Sequence, residues 1–471
     1  MAEALDGLPT AVTVCDPAAG GGAFLLAAAR ALAARGVPRR TIVEELLFGI
    51  DIDPLAVAVC EAALVLWSLE QGDDPGLPGG HLACGDALTL GWTGFDAVVG
   101  NPPFLNQLGR ATARATPDRA RLRHRFGDAA AGYADTATVF LVAACSMVRP
   151  GGRVALVQPE SLLSARDAGP ARGAIARAGA LRALWHSRQP VFAAGVRVCA
   201  PVIEVGGTAG PVRRFDGPHF TPGSPVDADP AALRTWAPLI ARSAGVPDTP
   251  LRTSGTLGDE CNATADFRDQ YYGLVPFVSD DGAGVPLITS GLIDPGVSRW
   301  GTVPTRFAKR QWQHPRVDVA ALRAASPAMG RWVDARLVPK ILVATQTRVI
   351  EAVVDEDGQW LPCTPVITVT GERPWHAAAV LLAPPVSAWA LRTFGGAALS
   401  ADAIKLSASQ VLAAPTPADR AAWDEAAARL RGGAPPEAVA ATMCDAYGCP
   451  AEMWEWWRTR LPRRTFSSAA P

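Results

Sequence analysis

The tetrapeptide Asn101-Pro102-Pro103-Phe104 has the residue types to recognise an amine on a planar ring. Two consecutive prolines restrict the backbone and remove two amide donors, which leaves carbonyl groups as acceptors. The Asn101 side-chain oxygen and the Pro102 carbonyl are therefore suited to accept both hydrogens of an –NH2 group. The Phe104 ring is suited to stack on a planar base. A rigid strand exit with a core phenylalanine is the plainer alternative.

Three glycine- and carboxylate-containing motifs precede the tetrapeptide, and each follows a short apolar run. They are D-P-A-A-G-G-G at residues 16–22, G-I-D-I-D-P at residues 49–54 and G-D-A-L at residues 85–88. Glycines let the backbone turn sharply beside a ligand, and the start of the following helix offers amide donors. The carboxylates of the second and third motifs are suited to accept hydrogen bonds from a ribose diol and an adenine amine. A helix cap is the plainer role for a lone Asp in either place.

Short apolar runs alternate with helical patterns through the first 200 residues, which is typical of an open parallel α/β sheet. Strands are predicted at residues 11–15, 46–50, 81–84, 95–99, 154–157 and 196–205, and helices at residues 24–34, 54–69 and 133–148. Ligands of such sheets bind beyond the carboxyl ends of the strands, so the four motifs should converge on one crevice. Segments rich in Gly and Pro, around residues 206–211 and 216–230, are predicted to mark the end of the sheet. Residues 231–245 are predicted to form one closing helix, bent or broken at Pro238.

The composition indicates a globular protein of the cytoplasm. Nine scattered cysteines without a C-x-x-C pair predict reduced thiols rather than a zinc site or a disulfide framework. The apolar stretch 377–391 is interrupted by Pro384-Pro385 and is too short to span a membrane, and the N-terminus lacks a secretory pattern.

Charge is distributed unevenly along the chain. Residues 1–100 contain four arginines and thirteen carboxylates, whereas residues 101–200 contain fourteen arginines and five carboxylates. A basic block just after the tetrapeptide is where a polyanion would lie, although a solvated surface is the plainer alternative.

In this order and spacing, the four motifs resemble the N6-adenine-specific DNA methyltransferases. The resemblance is to the class in which the cofactor motif comes first, NPPF follows, and a target-recognition domain lies C-terminal to both. Ala19 and Gly21 stand where the family's first motif, D-P-A-C-G-S-G, usually has Cys and Ser. Residues 190–193 (P-V-F-A) resemble the motif that carries a second base-stacking aromatic residue. The family's T-P-containing cofactor motif is not evident in residues 1–10, which leaves open a misplaced start, a truncated chain or a pocket closed in another way.

The resemblance implies three parts. Residues 1–249 are expected to form an α/β, Rossmann-like catalytic domain dependent on S-adenosyl-L-methionine. Residues 250–415 are expected to form a mixed, β-rich target-recognition domain that binds DNA, and residues 416–471 a small helical C-terminal region. The expected reaction transfers a methyl group to the N6 amine of an adenine flipped out of double-stranded DNA. The chain is expected to act in the cytoplasm as a monomer, without metal or membrane, in restriction-modification or phage defence.

The resemblance also implies roles for individual residues. The catalytic residues are Asn101, Pro102, Pro103 and Phe104. The cofactor-binding residues are Asp16, Pro17, Ala18, Gly20, Gly22, Asp51, Ile52, Asp86 and Ala87. The rings of Phe104 and Phe192 would sandwich the target base. The residues expected to contact DNA phosphates are Arg110, Arg114, Arg119, Arg121, Arg123 and Arg125.

Two alternative functions stay open at this point. N-P-P-[FY] also occurs in methyltransferases that act on amines of RNA or protein, although those chains are usually shorter and lack a large β-like domain after the catalytic one. A non-catalytic DNA-binding subunit is the other alternative. A fused nuclease of the PD-(D/E)xK type is not favoured, because none of the three lysines has an acidic residue two positions before it.

Overall fold

The computed structural model describes residues 1–69, 76–105, 116–131, 134–187, 189, 191–192, 196–227, 230, 235–241, 245–266, 268–396 and 403–462. The chain forms two compact units, residues 1–243 and residues 244–471, which we call the N-terminal unit and the C-terminal unit. The predicted roles of residues 1–249, 250–415 and 416–471 stay predictions.

One mixed sheet forms the centre of the N-terminal unit. Its strands are β1 (Val14–Asp16), β2 (Leu47–Asp51), β3 (Leu82–Cys84), β4 (Phe95–Gly100), β5 (Val148–Leu156), β6 (Gln158–Pro159), β7 (Gly179–His186), β8 (Val198–Val205), β9 (Val212–Asp216) and β10 (Thr221–Val226). They lie in the order β10-β9-β7-β8-β5-β4-β1-β2-β3, with β6 beside β8. The α/β class predicted from the sequence is confirmed.

Strand direction decides where the sheet presents its loops. β1 to β5 are parallel, β8 runs antiparallel between β5 and β7, and β7 is parallel to β9. β1 to β5, β7 and β9 therefore all end at the same edge, which we call the carboxyl edge. Ligands of open α/β sheets bind at this edge.

Helices cover both faces of the sheet. The helices described in the N-terminal unit are α1 (Ala2–Leu5), α2 (Ala23–Ala34), α3 (Arg39–Thr41), α4 (Pro54–Leu69), α5 (Ala87–Leu90), α6 (Thr116–Phe126), α7 (Thr136–Met147), α8 (Gly169–Ala178) and α9 (Pro238–Ala241). Side chains of a strand alternate between faces, so Val14 packs in the apolar cluster with α2 and α4, whereas Cys15 packs in the cluster with α7 and α8. Burial on both faces explains why β4 is buried at all six positions.

The end of the sheet differs from the prediction. The segment at residues 216–230, expected to lie beyond the sheet, contributes β10, which pairs with β9 as a hairpin. β7 was also missed, and it lies inside the sheet. In the predicted closing helix, residues 235–237 are not helical and Pro238 begins α9 instead of bending a longer helix, while residues 231–234 and 242–244 lie outside the described residues. Proline suits a first helical turn, where no intrahelical partner is needed for its missing amide hydrogen.

The C-terminal unit combines small sheets with helices. Its described strands are β11 (Thr253–Thr256), β12 (Cys261–Ala265), β13 (Val278–Ser279), β14 (Val285–Ile288), β15 (Ile293–Asp294), β16 (Val297–Ser298), β17 (Thr305–Phe307), β18 (Arg310–Trp312), β19 (Arg316–Val317), β20 (Lys340–Val343), β21 (Ala352–Asp355), β22 (Leu361–Pro362), β23 (Ile367–Gly371) and β24 (Pro415–Pro417). The two largest sheets have four strands each, in the orders β12-β23-β20-β21 and β13-β19-β14-β22.

Nine described helices complete the C-terminal unit. They are α10 (Arg268–Leu274), α11 (Val319–Ala325), α12 (Pro327–Asp334), α13 (Pro374–Leu381), α14 (Pro384–Phe394), α15 (Ala408–Leu412), α16 (Arg420–Arg431), α17 (Pro436–Ala446) and α18 (Ala451–Arg458). Within the described ranges no single helix is long and apolar enough to cross a membrane; α13 and α14 pass that test only as a pair, bent by 62°. All nine cysteines are free thiols.

A buried ion pair joins β20 to β21. Lys340 is fully buried, and its ammonium group donates to the carboxylate of Asp355, which is also buried. The same carboxylate accepts the amides of Gln359 (3.0 Å) and Trp360 (2.9 Å). Burial lowers the pKa of Lys340, and the bond to Asp355 opposes that change. The carboxylate of Asp355 therefore supplies the counter-charge of the buried Lys340 ammonium group.

Removal of Asp355 should destabilise the protein far more than removal of its neighbour. Asp355→Ala leaves a buried ammonium group without its counter-charge, and we expect a loss of about 3–5 kcal/mol in the free energy of unfolding. Glu356→Ala removes only the exposed pair with Arg431 and should cost less than about 1 kcal/mol. Urea unfolding followed by tryptophan fluorescence measures both, since ten of the fourteen tryptophans lie in the C-terminal unit. Equal losses in the two variants would contradict the expectation.

Candidate functional site

The first three predicted motifs meet at the carboxyl edge. Strand register places Asp16 opposite Gly49 and Asp51 opposite Cys84. The Gly85 amide donates to the Asp51 carbonyl at 2.8 Å, and the Ala19 amide donates to the Ile50 carbonyl at 2.9 Å. The loops that follow β1, β2 and β3 are thus bonded to one another in sequence.

Glycines shape the turn between β1 and α2. Gly20 and Gly22 have φ angles of +53° and +86°, in the left-handed region that favours glycine. A Cβ at Gly22 would lie 2.8 Å from the Cys60 sulfur, so this position also has no room for a side chain. A Cβ at Gly20 would meet no heavy atom within 4 Å. The turn is therefore packed against α4 on one side and open on the other, where a ligand could approach.

Asp51 connects the loops after β1 and β2. Its Oδ2 accepts the Gly20 amide at 2.8 Å, and its Oδ1 accepts the Asp53 amide at 2.9 Å. Each carboxylate oxygen has a second lone pair, so Asp51 can still accept hydroxyl groups. The next residue, Ile52, is 75% exposed. A carboxylate beside an exposed apolar side chain and an open glycine turn fits a nucleoside with its ribose and base.

Asp86 has a structural role at the third motif. Its side chain accepts the Leu88 amide at 3.0 Å and caps α5, while Ala87 is buried. This is the plainer role that the sequence left open for an Asp at this place. A contact between Asp86 and a cofactor adenine stays a prediction.

The tetrapeptide leaves β4 with its asparagine outward. Asn101 is exposed, Pro102 is buried and Pro103 is exposed. The Gly100 carbonyl accepts the Val157 amide at 2.9 Å, and the Leu105 carbonyl accepts the Thr136 amide at 3.2 Å. Backbone hydrogen bonds directly before and directly after the tetrapeptide therefore hold its backbone in place.

Phe104 is half-buried against an apolar cluster at the carboxyl edge. The cluster consists of Val157, Trp185 and Val198, and Phe24 also packs against it. Trp185 is the last residue but one of β7, a strand that was not predicted from the sequence, so this support for the Phe104 ring was missed. The signal in the sequence that could have predicted this strand was the apolar run that ends in L-W-H.

A buried carboxylate separates the glycine turn from the tetrapeptide. Asp16 is 1% exposed, and its Oδ1 accepts the Ala18 amide at 3.0 Å. A Cβ at Gly100 would lie 2.3 Å from that same oxygen, so only glycine fits directly before Asn101. Burial raises the pKa of Asp16 to about 7; the Ala18 amide opposes this change and the charge of Asp51 adds to it.

Asp135 was also missed by the sequence analysis. It caps α7 by accepting the Ala137 amide at 2.9 Å, and it accepts a backbone hydrogen bond from Leu105, the residue after the tetrapeptide. Burial raises the pKa of this carboxyl group. An Asp directly before a helical pattern was the available signal, because Asp is a favoured N-cap.

A buried polar group lies farther along the carboxyl edge. The Glu160 carboxylate is 3.0 Å from His186 Nε2 and 3.0 Å from Arg197 Nη1. Glu160 follows β6, and His186 ends β7 beside Trp185. Burial and the charge of Glu160 raise the pKa of the adjacent Cys199 thiol. The group connects the loop after β5 to the end of β7.

The structure describes only some of the other predicted site residues, namely the second stacking residue and four of the six arginines. Phe192 is 39% exposed and lies before β8, while Pro190 and Ala193 of its predicted motif lie outside the described residues. Arg110 and Arg114 also lie outside the described residues. Four predicted arginines are exposed on α6: Arg119, Arg121, Arg123 and Arg125.

The described arginines of α6 differ in their partners. Arg121 pairs with Asp118, and Arg125 donates to the Leu88 carbonyl at 2.6 Å. Leu122 packs in the same core cluster as Leu88, so α6 lies beside α5, which follows β3. Part of the basic block therefore lies near the carboxyl edge, and contact with phosphates stays a prediction.

Known proteins support the predicted family. Residues 1–199 match the family model described as N-6 DNA Methylase, which confirms the family predicted from the motifs. A structure of the Type IIL restriction-modification enzyme MmeI in complex with DNA aligns with 95% of this chain and 68% of its own, with a TM-score of 0.56 and 14% identity. At that identity the likeness shows a shared fold.

Two methyltransferase subunits match over shorter spans. The type I restriction-modification methyltransferase subunit from Streptococcus thermophilus matches 49% of this chain at 20% identity and a TM-score of 0.36. The M protein of the type I restriction enzyme EcoKI matches 55% of this chain at 16% identity and a TM-score of 0.34. The chain spans 48% and 55% of these two proteins, respectively.

The Asp16 carboxyl group should make stability depend on pH. Its pKa rises from 3.8 to about 7 on folding, so between these pH values the unfolded chain releases a proton that the folded chain keeps. The free energy of unfolding should therefore fall as the pH rises through this window, by about 4 kcal/mol relative to Asp16→Asn.

Urea unfolding at a series of pH values, followed by circular dichroism, measures this difference. Asp53→Asn, which changes an exposed acid in the neighbouring loop, is the matched control and should keep the wild-type profile. If the wild-type and Asp16→Asn profiles run parallel, Asp16 is ionised in both states and the expectation is wrong.

Proposed function

We propose that this chain is a site-specific DNA methyltransferase that uses S-adenosyl-L-methionine to methylate the N6 amine of adenine in duplex DNA. It would serve a restriction-modification or phage-defence system. The observation that carries the proposal is that Asn101 is exposed at the carboxyl edge and directly follows Gly100, which lies against the buried Asp16 at the start of the glycine turn. The shared fold with MmeI, an enzyme solved in complex with DNA, supports the same substrate class.

The residues around the glycine turn would hold the cofactor. Gly20 leaves open space, Asp51 would accept the ribose hydroxyls, and Ile52 would pack against the adenine. α2 begins at Ala23, and its first amides give the turn a partial positive charge. S-adenosyl-L-methionine supplies an electrophilic methyl group when bound.

The tetrapeptide would orient the amine that receives the methyl group. Asn101 Oδ1 and the Pro102 carbonyl each accept one amine hydrogen, which directs the nitrogen lone pair away from the protein acceptors. As the nitrogen becomes bonded to the methyl group it gains positive charge, so both hydrogen bonds strengthen in the transition state. The carbon–nitrogen bond forms as the methyl–sulfur bond breaks, and the extra proton of the amine then passes to solvent water. Phe104, supported by Trp185, would stack on the flipped base, with Phe192 proposed for its other face.

DNA binding would use two parts of the chain. The arginines of α6 would contact phosphates, which position a duplex without reading its sequence. We assign sequence reading to residues 250–415, because the N-terminal unit uses its carboxyl edge for the cofactor and the target base. This segment is large enough to reach base edges in a groove.

Two other functions are consistent with parts of the same geometry. An amine of RNA or protein could be held by the same Asn101 and Pro102 acceptors, and a non-catalytic subunit could keep the fold without turnover. No contact of the described residues favours either of them over DNA adenine, and the experiment below separates the three.

Asn101→Ala should abolish methyl transfer while the protein still binds S-adenosyl-L-methionine within about threefold of wild type. The reason is that the Asn101 bond strengthens only as the amine reacts, whereas the cofactor is held by other residues. Single-molecule sequencing of the genome of a host without adenine methylation should find N6-methyladenine at one short motif with the wild type and none with the variant. Calorimetry measures cofactor binding.

The same sequencing tests the other assignments. Exchange of residues 250–415 for the matching segment of a relative should move the mark to another motif. Adenine methylation by Asn101→Ala would show that the tetrapeptide is not the catalytic centre. If no DNA is methylated, while ribosomal RNA or a protein glutamine gains a methyl group, the DNA assignment is wrong; cofactor binding with no methylated product favours the non-catalytic subunit.

Two arginines of α6 should contribute to the salt dependence of DNA binding. Arg119→Ala combined with Arg123→Ala should reduce the slope of log affinity against log salt by about 2, because two counterion-releasing phosphate contacts are lost. Arg30→Ala combined with Arg40→Ala removes the same charge from other exposed positions and should leave the slope unchanged. Fluorescence anisotropy on a labelled duplex measures both. Equal slopes in the two double variants would show that the arginines of α6 form a solvated surface without phosphate contacts.

A further inference from the structure

A second aromatic residue lies on the apolar cluster that supports Phe104. The turn between β9 and β10, residues 217–220, follows a strand that ends at the carboxyl edge. Its last residue, Phe220, stacks on Trp185 with ring centroids 5.0 Å apart and an angle of 23° between the planes. Phe104 packs against the cluster of Val157, Trp185 and Val198, so Phe104 and Phe220 both lie on the apolar cluster that contains Trp185.

The turn holds Phe220 in a fixed position. Trp185 Nε1 donates to the Gly217 carbonyl at 2.9 Å, the Gly217 amide donates to the His186 carbonyl at 2.9 Å, and the Phe220 amide donates to the Gly217 carbonyl at 3.2 Å. Phe220 has a φ of +52°, a left-handed conformation that is rare for a bulky side chain. Such strain is often found where a side chain has a role outside folding.

The Phe220 ring is nevertheless far from buried. It is 58% exposed, whereas Trp185 beneath it is 8% exposed. Val191, Phe192 and Val196, from the segment between β7 and β8, are also exposed, at 40%, 39% and 41%. An aromatic ring held in a strained turn on a buried tryptophan, with exposed apolar neighbours in the adjacent loop, is the arrangement of a binding surface.

The geometry limits what Phe220 can bind. One face of the ring is covered by Trp185, so the ring cannot insert between two stacked base pairs, which would require both faces. The free face can stack on one planar group. Aromatic platforms of this kind bind unpaired bases without regard to sequence.

We infer that Phe220, supported by Trp185, is a one-sided stacking platform for an unpaired base of the bound DNA strand. The inference rests on the proposed function for the identity of the ligand, because the DNA strand must pass Phe104 to deliver its adenine. An unpaired base on Phe220 would stabilise the opened strand beside the target, and Phe220 would thereby act as a positioning residue outside the catalytic tetrapeptide.

Single-stranded DNA tests the platform without methyl transfer. The probe is a labelled 12-nucleotide strand of mixed sequence, and fluorescence anisotropy measures its affinity for the full chain without a methyl donor. Phe220→Asn should weaken binding about tenfold through the loss of one base–aromatic stack, and asparagine tolerates the left-handed turn. Phe220→Trp should keep affinity within about twofold, because it keeps a ring.

Two matched variants separate stacking from apolar contact. Phe220→Leu keeps an apolar side chain without a ring and should bind as weakly as Phe220→Asn. Leu66→Ala removes an exposed apolar side chain from α4 and should bind like wild type. Fully paired duplex of the same length, closed by a hairpin loop at each end, should bind wild type and Phe220→Asn alike within about twofold, because its paired bases are stacked on both faces.

The outcomes distinguish this inference from the proposed function. Unchanged single-strand affinity in Phe220→Asn, wild-type affinity in Phe220→Leu, or no measurable single-strand binding by the wild type would overturn the platform, even if genomic adenine is methylated. A ring-dependent affinity in a chain that methylates no DNA would support the platform and overturn the proposed methyl transfer.

Discussion

The carboxylate of Asp16 is the constraint on which the rest of the site depends. It lies at the end of β1, accepts the Ala18 amide, and occupies the space that a side chain at residue 100 would need. The glycine turn and the tetrapeptide follow different strands, and this one buried group bonds to the start of the turn and lies against Gly100, directly before the tetrapeptide. Its burial has an electrostatic cost, visible in the raised pKa. A neutral residue of the same shape would relieve that cost, and carboxyl groups with strongly shifted pKa values are common at functional sites.

Hydrogen bonds extend this constraint across the carboxyl edge. Asp51 holds the Gly20 amide on one side, and the Gly85 amide holds the Asp51 carbonyl on the other. On the far side of β4, the carbonyls of Gly100 and Leu105 accept amides from the loop after β5 and from the start of α7. Because each loop is bonded to the next, displacement of one strand end would disturb the whole row. A rigid row of this kind suits chemistry that requires two bound groups in one orientation.

Sequence alone predicted the elements with strong local patterns. α4 begins at Pro54 and ends at Leu69 as predicted, and β4 with its tetrapeptide lies at the expected edge. The bond between Asp51 and Gly20 was beyond prediction, since it depends on the register of β1 against β2 across 31 residues. The hairpin of β9 and β10 was missed because the T-P-G-S-P-V segment resembles a loop. It can form a strand because β10 lies at the edge of the sheet and bonds to one neighbouring strand, and edge strands tolerate proline. A single Phe220 in a turn carries no periodic signal, so its stacking on Trp185 appears only in three dimensions.

The two outermost strands also affect how copies of this protein behave in a crowded solution. β10 contains Pro222 and Pro225, which have no amide hydrogen to offer a neighbouring chain, and β3 at the opposite end is only three residues long. Unpaired strands are the usual starting points for fibre growth and for exchange of strands between molecules. The prolines of β10 and the short length of β3 make both edge strands poor partners for a strand of another molecule. A large sheet can therefore exist without edge-to-edge association of copies of this protein.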